Sequence, residues 1–122
     1  MSAAVGCAVL DVVERENILR NVYDVGRYLE TGLRALAENR PLVGDVRGKG
    51  LFHGLELVRE GGGLEPAARE AARVRNRMRE LGVLLGTSGP LNNVIKIRPP
   101  LVFRREHADL LLEKLEAALE EI

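Results

Sequence analysis

The chain has 122 residues, a length that suits one domain with a core of its own. Its 18 lysines and arginines balance 18 aspartates and glutamates, so it lacks the basic excess of a nucleic-acid binder or a polybasic membrane-surface protein. One cysteine, Cys7, excludes an internal disulfide framework and a multi-cysteine zinc site. No apolar run is long enough to span a bilayer, and the N-terminus lacks a signal-peptide pattern, so the expected compartment is the cytoplasm, with Cys7 reduced.

Residues 3–13, AAVGCAVLDVV, are apolar almost all round. This predicts a helix buried on most sides, either against the domain's own core or against a surface elsewhere. Asn17 stands where it could cap a second helix, and Ile18, Leu19, Val22, Val25, Leu29, Leu33 and Leu36 give that helix its apolar stripe. Gly26, inside the stripe, predicts close packing rather than a break, and Asn39-Arg40-Pro41 is the stop. The period then changes. Residues 43–47 read as a short strand and residues 51–58 alternate as a second, with Gly48-Lys49-Gly50 as the turn between them. Gly61-Gly62-Gly63 reads as a flexible loop.

Pro66 suits the first position of a third helix, with Ala67, Ala71, Val74, Met78 and Leu81 inward and Gly82 at its end. Val83-Leu84-Leu85 reads as a strand and residues 86–90 as a loop. Val94–Ile97 is a further strand, ended by Pro99-Pro100. A last helix places Ala108, Leu111, Leu112, Leu115, Leu119 and Ile122 on one face. Strands in adjacent pairs with helices between them predict an α+β fold: a three- to four-stranded, mainly antiparallel sheet with helices packed on one face.

Five arginines, at 69, 73, 75, 77 and 79, crowd the third helix. With Glu70 and Glu80 as counter-charge and no interleaved aromatic, a solvated face is favoured over an RNA or phosphate site. His53 falls mid-strand and His107 opens a helix, without a second metal ligand at suitable spacing. A packed or rim histidine is the favoured reading of His53, and a buried inert thiol that of Cys7. Arg47-Gly48-Lys49-Gly50 and Gly86-Thr87-Ser88-Gly89-Pro90 match neither a Walker loop nor a dinucleotide fingerprint. Alternation along Val94–Arg98 puts Lys96 and Arg98 on one strand face. The readings left open there are a wet, exposed strand face and a site for a carboxylate or phosphate.

Taken together, three segments resemble the C-terminal small domain of class III (subgroup II) aminotransferases. They are residues 2–14, Leu42-Val43-Gly44-Asp45-Val46-Arg47-Gly48-Lys49-Gly50-Leu51-Phe52, and Val94-Ile95-Lys96-Ile97-Arg98-Pro99-Pro100-Leu101. Gly89-Pro90, Asn93-Val94 and Lys96–Pro100 are most similar to the branch that holds alanine–glyoxylate aminotransferase-like proteins and phospholyases acting on phosphoethanolamine or phosphohydroxylysine.

The resemblance implies the small domain of the type I pyridoxal-phosphate transferase fold over residues 1–122, with residues 1–16 as an interdomain helix segment. It implies a parent that moves an amino group between an amine or amino acid and a 2-oxo acid, as a homo-oligomer, the homodimer being expected. The phospholyase is the enzymatic alternative, and a stand-alone small-ligand or interaction domain is the non-enzymatic one. Pyridoxal 5'-phosphate would be held by a large domain upstream, because Lys49, Lys96 and Lys114 do not match the Schiff-base lysine motif. The chain thus looks like an excised C-terminal domain, without a catalytic residue, cofactor-binding residue or metal ligand of its own and inactive alone. Lys96 stands where several relatives place a carboxylate-binding arginine, and Arg98 shares its face. Thr87 lies in a possible active-site loop, where Ser88 replaces a frequent aspartate. Arg47, with Thr87 a candidate for that active-site loop, is implied to pair near the domain interface. Arg104 replaces a Ser or Thr helix cap and supplies no acceptor.

Overall fold

A computed structural model describes residues 2–59 and 65–122. The elements are α1 (Ala3–Arg15), α2 (Ile18–Ala37), β1 (Val43–Lys49), β2 (Phe52–Leu57), α3 (Ala68–Glu80), β3 (Gly86–Ser88), β4 (Val94–Ile97) and α4 (Arg105–Glu120). The four strands form one sheet in the order β1-β2-β4-β3, antiparallel at every step, as the strand pairing in sequence suggests. The Gly61-Gly62-Gly63 segment lies outside the described residues.

Helices α2, α3 and α4 cover one face of this sheet. Val25, Leu29, Leu33 and Leu36 of α2 are buried there with Ala71, Val74 and Met78 of α3 and Leu111, Leu115 and Leu119 of α4. They meet Val46, Leu55, Leu57, Ile95 and Ile97 of the sheet. Period 3.6 on the helices and period two on the strands thus converge on one core. Two glycines of α2 permit close approaches to their neighbours. A Cβ on Gly26 would lie 2.3 Å from the carbonyl oxygen of Gly50, and one on Gly32 would lie 2.3 Å from Leu112. Gly50 itself has φ +57°, which fits a glycine at the β1–β2 turn.

Several expectations are corrected. The apolar helix α1 buries no residue, and Val5, Val9 and Leu10 are exposed. Among the described elements it packs chiefly against α2 and buries no residue, so the alternative that it packs into this domain's own core falls. Cys7 is therefore exposed, not buried. The third strand is residues 86–88 rather than 83–85, because the pairing partners of β4 are Gly86, Thr87 and Ser88. Leu84 is left largely in solvent, at 83% exposure. Pro66 precedes α3 and instead forms a β-bridge with Val58. Asn17 sits at the N-cap of α2 but with φ 51° and no side-chain capping bond. Leu81 is only half-buried, and Ile122 is exposed beyond α4.

Candidate functional site

Strand alternation sends one set of side chains into the core and the other to the helix-free face of the sheet. The register sorts that open face into rows. Asp45 of β1, Glu56 of β2, Val94 of β4 and Ser88 of β3 make the first row. Arg47, Gly54, Lys96 and Gly86 make the second. Lys49 and Phe52 begin a third. Arg98, just beyond β4, extends it with its guanidinium 5.9 Å from the Phe52 ring centroid. The acids therefore lie at one end of the face and the cations at its middle and other end.

The glycines shape this surface. Adjacent strands lie about 4.8 Å apart, so Arg47 and Lys96, on either side of Gly54, have backbones about 10 Å apart. Gly54 adds no side chain of its own between them, and the Val94 Cγ1 methyl leans over it, 3.1 Å from where a Cβ would lie. On the other flank Lys96 runs over Gly86, where a Cβ would meet the lysine Cε at 3.4 Å. The result is a shallow depression lined by Arg47, Gly48, Lys49, Phe52, His53, Gly54, Ser88, Gly89, Val94 and Lys96.

Charge pairing in the depression is uneven. Arg47 bonds Asp45 at 3.0 Å and approaches Glu56 at 3.7 Å. Among the described residues, no carboxylate lies within ion-pair distance of Lys49, Lys96 or Arg98. Lys96 is half-buried, so its charge is less fully hydrated than that of a free surface lysine. An arrangement with spare cations, few local acids and a glycine floor suits a small anion.

The structure thus brings Lys96, Arg98 and Arg47 to one face. Thr87 is placed apart from them. It pairs with Ile95, so its side chain lies on the helix side, where Arg75 of α3 donates to Thr87 Oγ1 at 3.2 Å. That contact gives one of the five α3 arginines a packing role. Arg77 has another, in ion pairs with Glu80 and Glu121.

Sequence reasoning missed Lys49 as a neighbour of this site, Gly54 and Gly86 as its spacers, and Glu56 as the second partner of Arg47. The missing signal was register, since Gly54 means nothing until it stands between Arg47 and Lys96. His53 is packed, as favoured, at 1% exposure. Its Nε2 lies 2.7 Å from the Gly50 carbonyl oxygen. Arg104 supplies no cap to α4, but its backbone N–H donates to His107 Nδ1 at 3.0 Å, a contact not foreseen. Among the described residues, no group of three His, Cys, Asp or Glu side chains gathers as a metal site, and no helix is long and apolar enough to cross a membrane.

Comparison with known proteins gives a consistent outcome. Residues 1–119 match the family model described as aminotransferase class-III. Alanine–glyoxylate aminotransferase 2 homolog 2, mitochondrial, from Arabidopsis thaliana is 41% identical over 119 residues, covering 98% of this chain and 25% of that protein. A phospholyase from Arthrobacter, solved in complex with phosphoethanolamine, superposes with a TM-score of 0.93 at 41% identity, over 98% of this chain and 28% of that one. An amine transaminase from an uncultivated Pseudomonas species, solved in its pyridoxal-phosphate-bound form, gives a TM-score of 0.82 at 39% identity, over 94% of this chain and 26% of that one. The chain spans about a quarter of the length of the relatives it matches.

Proposed function

The chain belongs to the class-III aminotransferase family, and from that premise we propose that it serves as the small domain of a pyridoxal-phosphate-dependent transaminase. In this reading the whole protein moves an amino group between an amine or amino acid and a 2-oxo acid. A large domain of the same protein holds the cofactor, and α1 packs along the junction. The unburied apolar surface of α1 supports that placement, since a contiguous apolar face of this kind marks an interaction site. Homodimeric assembly and a cytoplasmic location, where the exposed thiol of Cys7 stays reduced, belong to the same reading.

Pyridoxal phosphate supplies an electron sink for the carbon that loses or gains the amino group. The described residues of this chain do not fit it. Among the described residues, none of Lys49, Lys96 and Lys114 has a hydrogen-bonding or ion-pairing partner that would orient it for the cofactor. The part assigned to this domain is therefore binding and orientation of the substrate. Lys96 is the first contact for a substrate carboxylate or phosphate, and Arg98 the second. Arg47, held by Asp45 and Glu56, borders the same anion across Gly54. Thr87, in strand β3 rather than a loop, bonds Arg75 of α3 instead of contacting the anion.

The observation that carries the proposal is the pairing of Lys96 and Arg47 about Gly54 on an uncovered face. A phospholyase acting on phosphoethanolamine is the second reading, favoured by three cations without carboxylate partners, an excess suited to a doubly charged phosphate monoester. Assaying the full-length protein with alanine plus glyoxylate and, separately, with phosphoethanolamine tests both. Amino transfer in the first assay supports the transaminase, and phosphate release in the second, without amino transfer, replaces it by the lyase. Neither activity in the pyridoxal-phosphate-loaded protein would leave the stand-alone binding domain.

A further inference from the structure

Among the described residues, His53 is the one buried titratable side chain for which substrate binding, as read above, has no use. The register places its buried ring on the helix side of the sheet, while the residue also borders the cationic depression. A carbonyl oxygen can only accept, so the 2.7 Å contact to Gly50 fixes the imidazole proton on Nε2. Nδ1 is buried with no hydrogen-bond partner among the described residues. Its space exists because residue 48 is glycine: a Cβ there would lie 2.4 Å from Nδ1. The accepting carbonyl is itself confined, since Gly26 of α2 abuts it from the other side. The Gly50 peptide is thus caught between a helix and an imidazole, at the turn of the hairpin whose outer face carries Arg47 and Lys49.

We infer that His53 is a positioning residue: through the Nε2–H bond to Gly50 it holds the β1–β2 turn against α2 and thereby places Arg47 and Lys49 beside Lys96. This rests on the reading of that face as the substrate-anion site. Loss of the bond frees the turn and misplaces two of the cations, while the chemistry, carried out elsewhere, is untouched. The effect belongs in KM for an anionic substrate rather than in kcat.

The test uses the full-length protein with glyoxylate and phosphoethanolamine as anionic probes, on whichever it turns over. His53→Met removes the donor and His53→Gln keeps one at similar length. His53→Met is expected to raise KM about five- to tenfold with kcat changed less than about twofold, a change of the size that one hydrogen bond gives. His53→Gln is expected to restore KM to within about twofold. Nitrogen NMR of the wild-type imidazole should show a protonated Nε2 and a bare Nδ1. Equal KM for wild type and His53→Met, with KM raised in Lys96→Ala, overturns the role of His53 and leaves the anion site standing. No change in either variant overturns the anion site and this inference with it. If His53→Met does not fold, the wild-type spectrum decides: a proton on Nδ1 overturns the inference and a proton on Nε2 supports it.

Discussion

Arg47 and Lys96 occupy one cross-strand row on opposite sides of Gly54, so two cations flank a position that contributes no side chain of its own. Their roles differ. Arg47 is occupied by Asp45 and Glu56, whereas Lys96 has no carboxylate partner among the described residues. In the full-length enzyme, Lys96→Ala is expected to lower kcat/KM for the anionic substrate about ten- to a hundredfold, from a charged hydrogen bond of about 1.5–3 kcal/mol. Stability should change by less than about 0.5 kcal/mol, as for a solvated strand residue. Steady-state kinetics and urea unfolding check the two halves. An unchanged specificity constant would sink the assignment of Lys96 without touching family membership.

The glycines give a contrasting pair. Gly26→Ala drives a methyl into the Gly50 carbonyl and is expected to destabilise by about 1–3 kcal/mol. Gly6→Ala has nothing within 4 Å to strike and removes a helix-weakening residue from α1. It should stabilise α1 locally by up to about 1 kcal/mol. Urea midpoints of the two variants should move in opposite directions, and a neutral Gly26→Ala would contradict the close approach.

Left without a covering surface, α1 should drive association of the 122-residue chain. Light scattering over a concentration series is expected to show mass rising with concentration. Val9→Glu combined with Leu10→Glu, both at exposed positions, should return the chain to monomer. A wild-type chain that stays monomeric at every concentration would count against the apolar patch as the cause.

The same chain should not transaminate when mixed with pyridoxal phosphate. Its amines, Lys49, Lys96, Lys114 and the N-terminus, should give only weak and unselective imine absorbance. Stoichiometric labelling of a single lysine, located by mass spectrometry after reduction, would refute this.

Tyr28 of α2 donates its hydroxyl proton to Asp109 of α4. That bond raises the phenol pKa above its ordinary value of about 10, with burial adding to the rise and Arg105 opposing it. A raised pKa means that the bond stabilises the fold fully below the ordinary phenol value and is lost as pH climbs through the folded one. Tyr28→Phe should therefore remove an alkaline step from the stability profile, read by circular dichroism at rising pH. Ultraviolet titration showing Tyr28 ionising below the ordinary phenol value of about 10 would oppose the assignment.

Much of the fold was legible because α2 and α4 carry single apolar stripes, and Leu29, Leu33 and Leu115 are fully buried where the period puts them. Residues 83–85 misled because Val-Leu-Leu has the stronger strand composition, yet Gly86-Thr87-Ser88 holds the pairing with β4. Apolar residues all round α1 signalled a need for a partner but not where the partner stands. At the site, Lys96 and Arg98 followed from alternation within one strand. Arg47 joined them only through the family resemblance, and Lys49 and Gly54 only through pairing across three strands, which no single segment encodes.

The wedging of the Gly50 carbonyl between Gly26 and His53 also bears on alignment of the two strands. Shifting β1 by one residue against β2 would bring Lys49 or Leu51 to a position with φ +57°, where a Cβ would lie 2.9 Å from Val22 Cγ1 of α2. The same shift would turn Val46 outward and Arg47 into the core. One glycine contact thus acts as a ratchet tooth for the hairpin: the slipped ladder is excluded by the helix before its buried charge is ever tested.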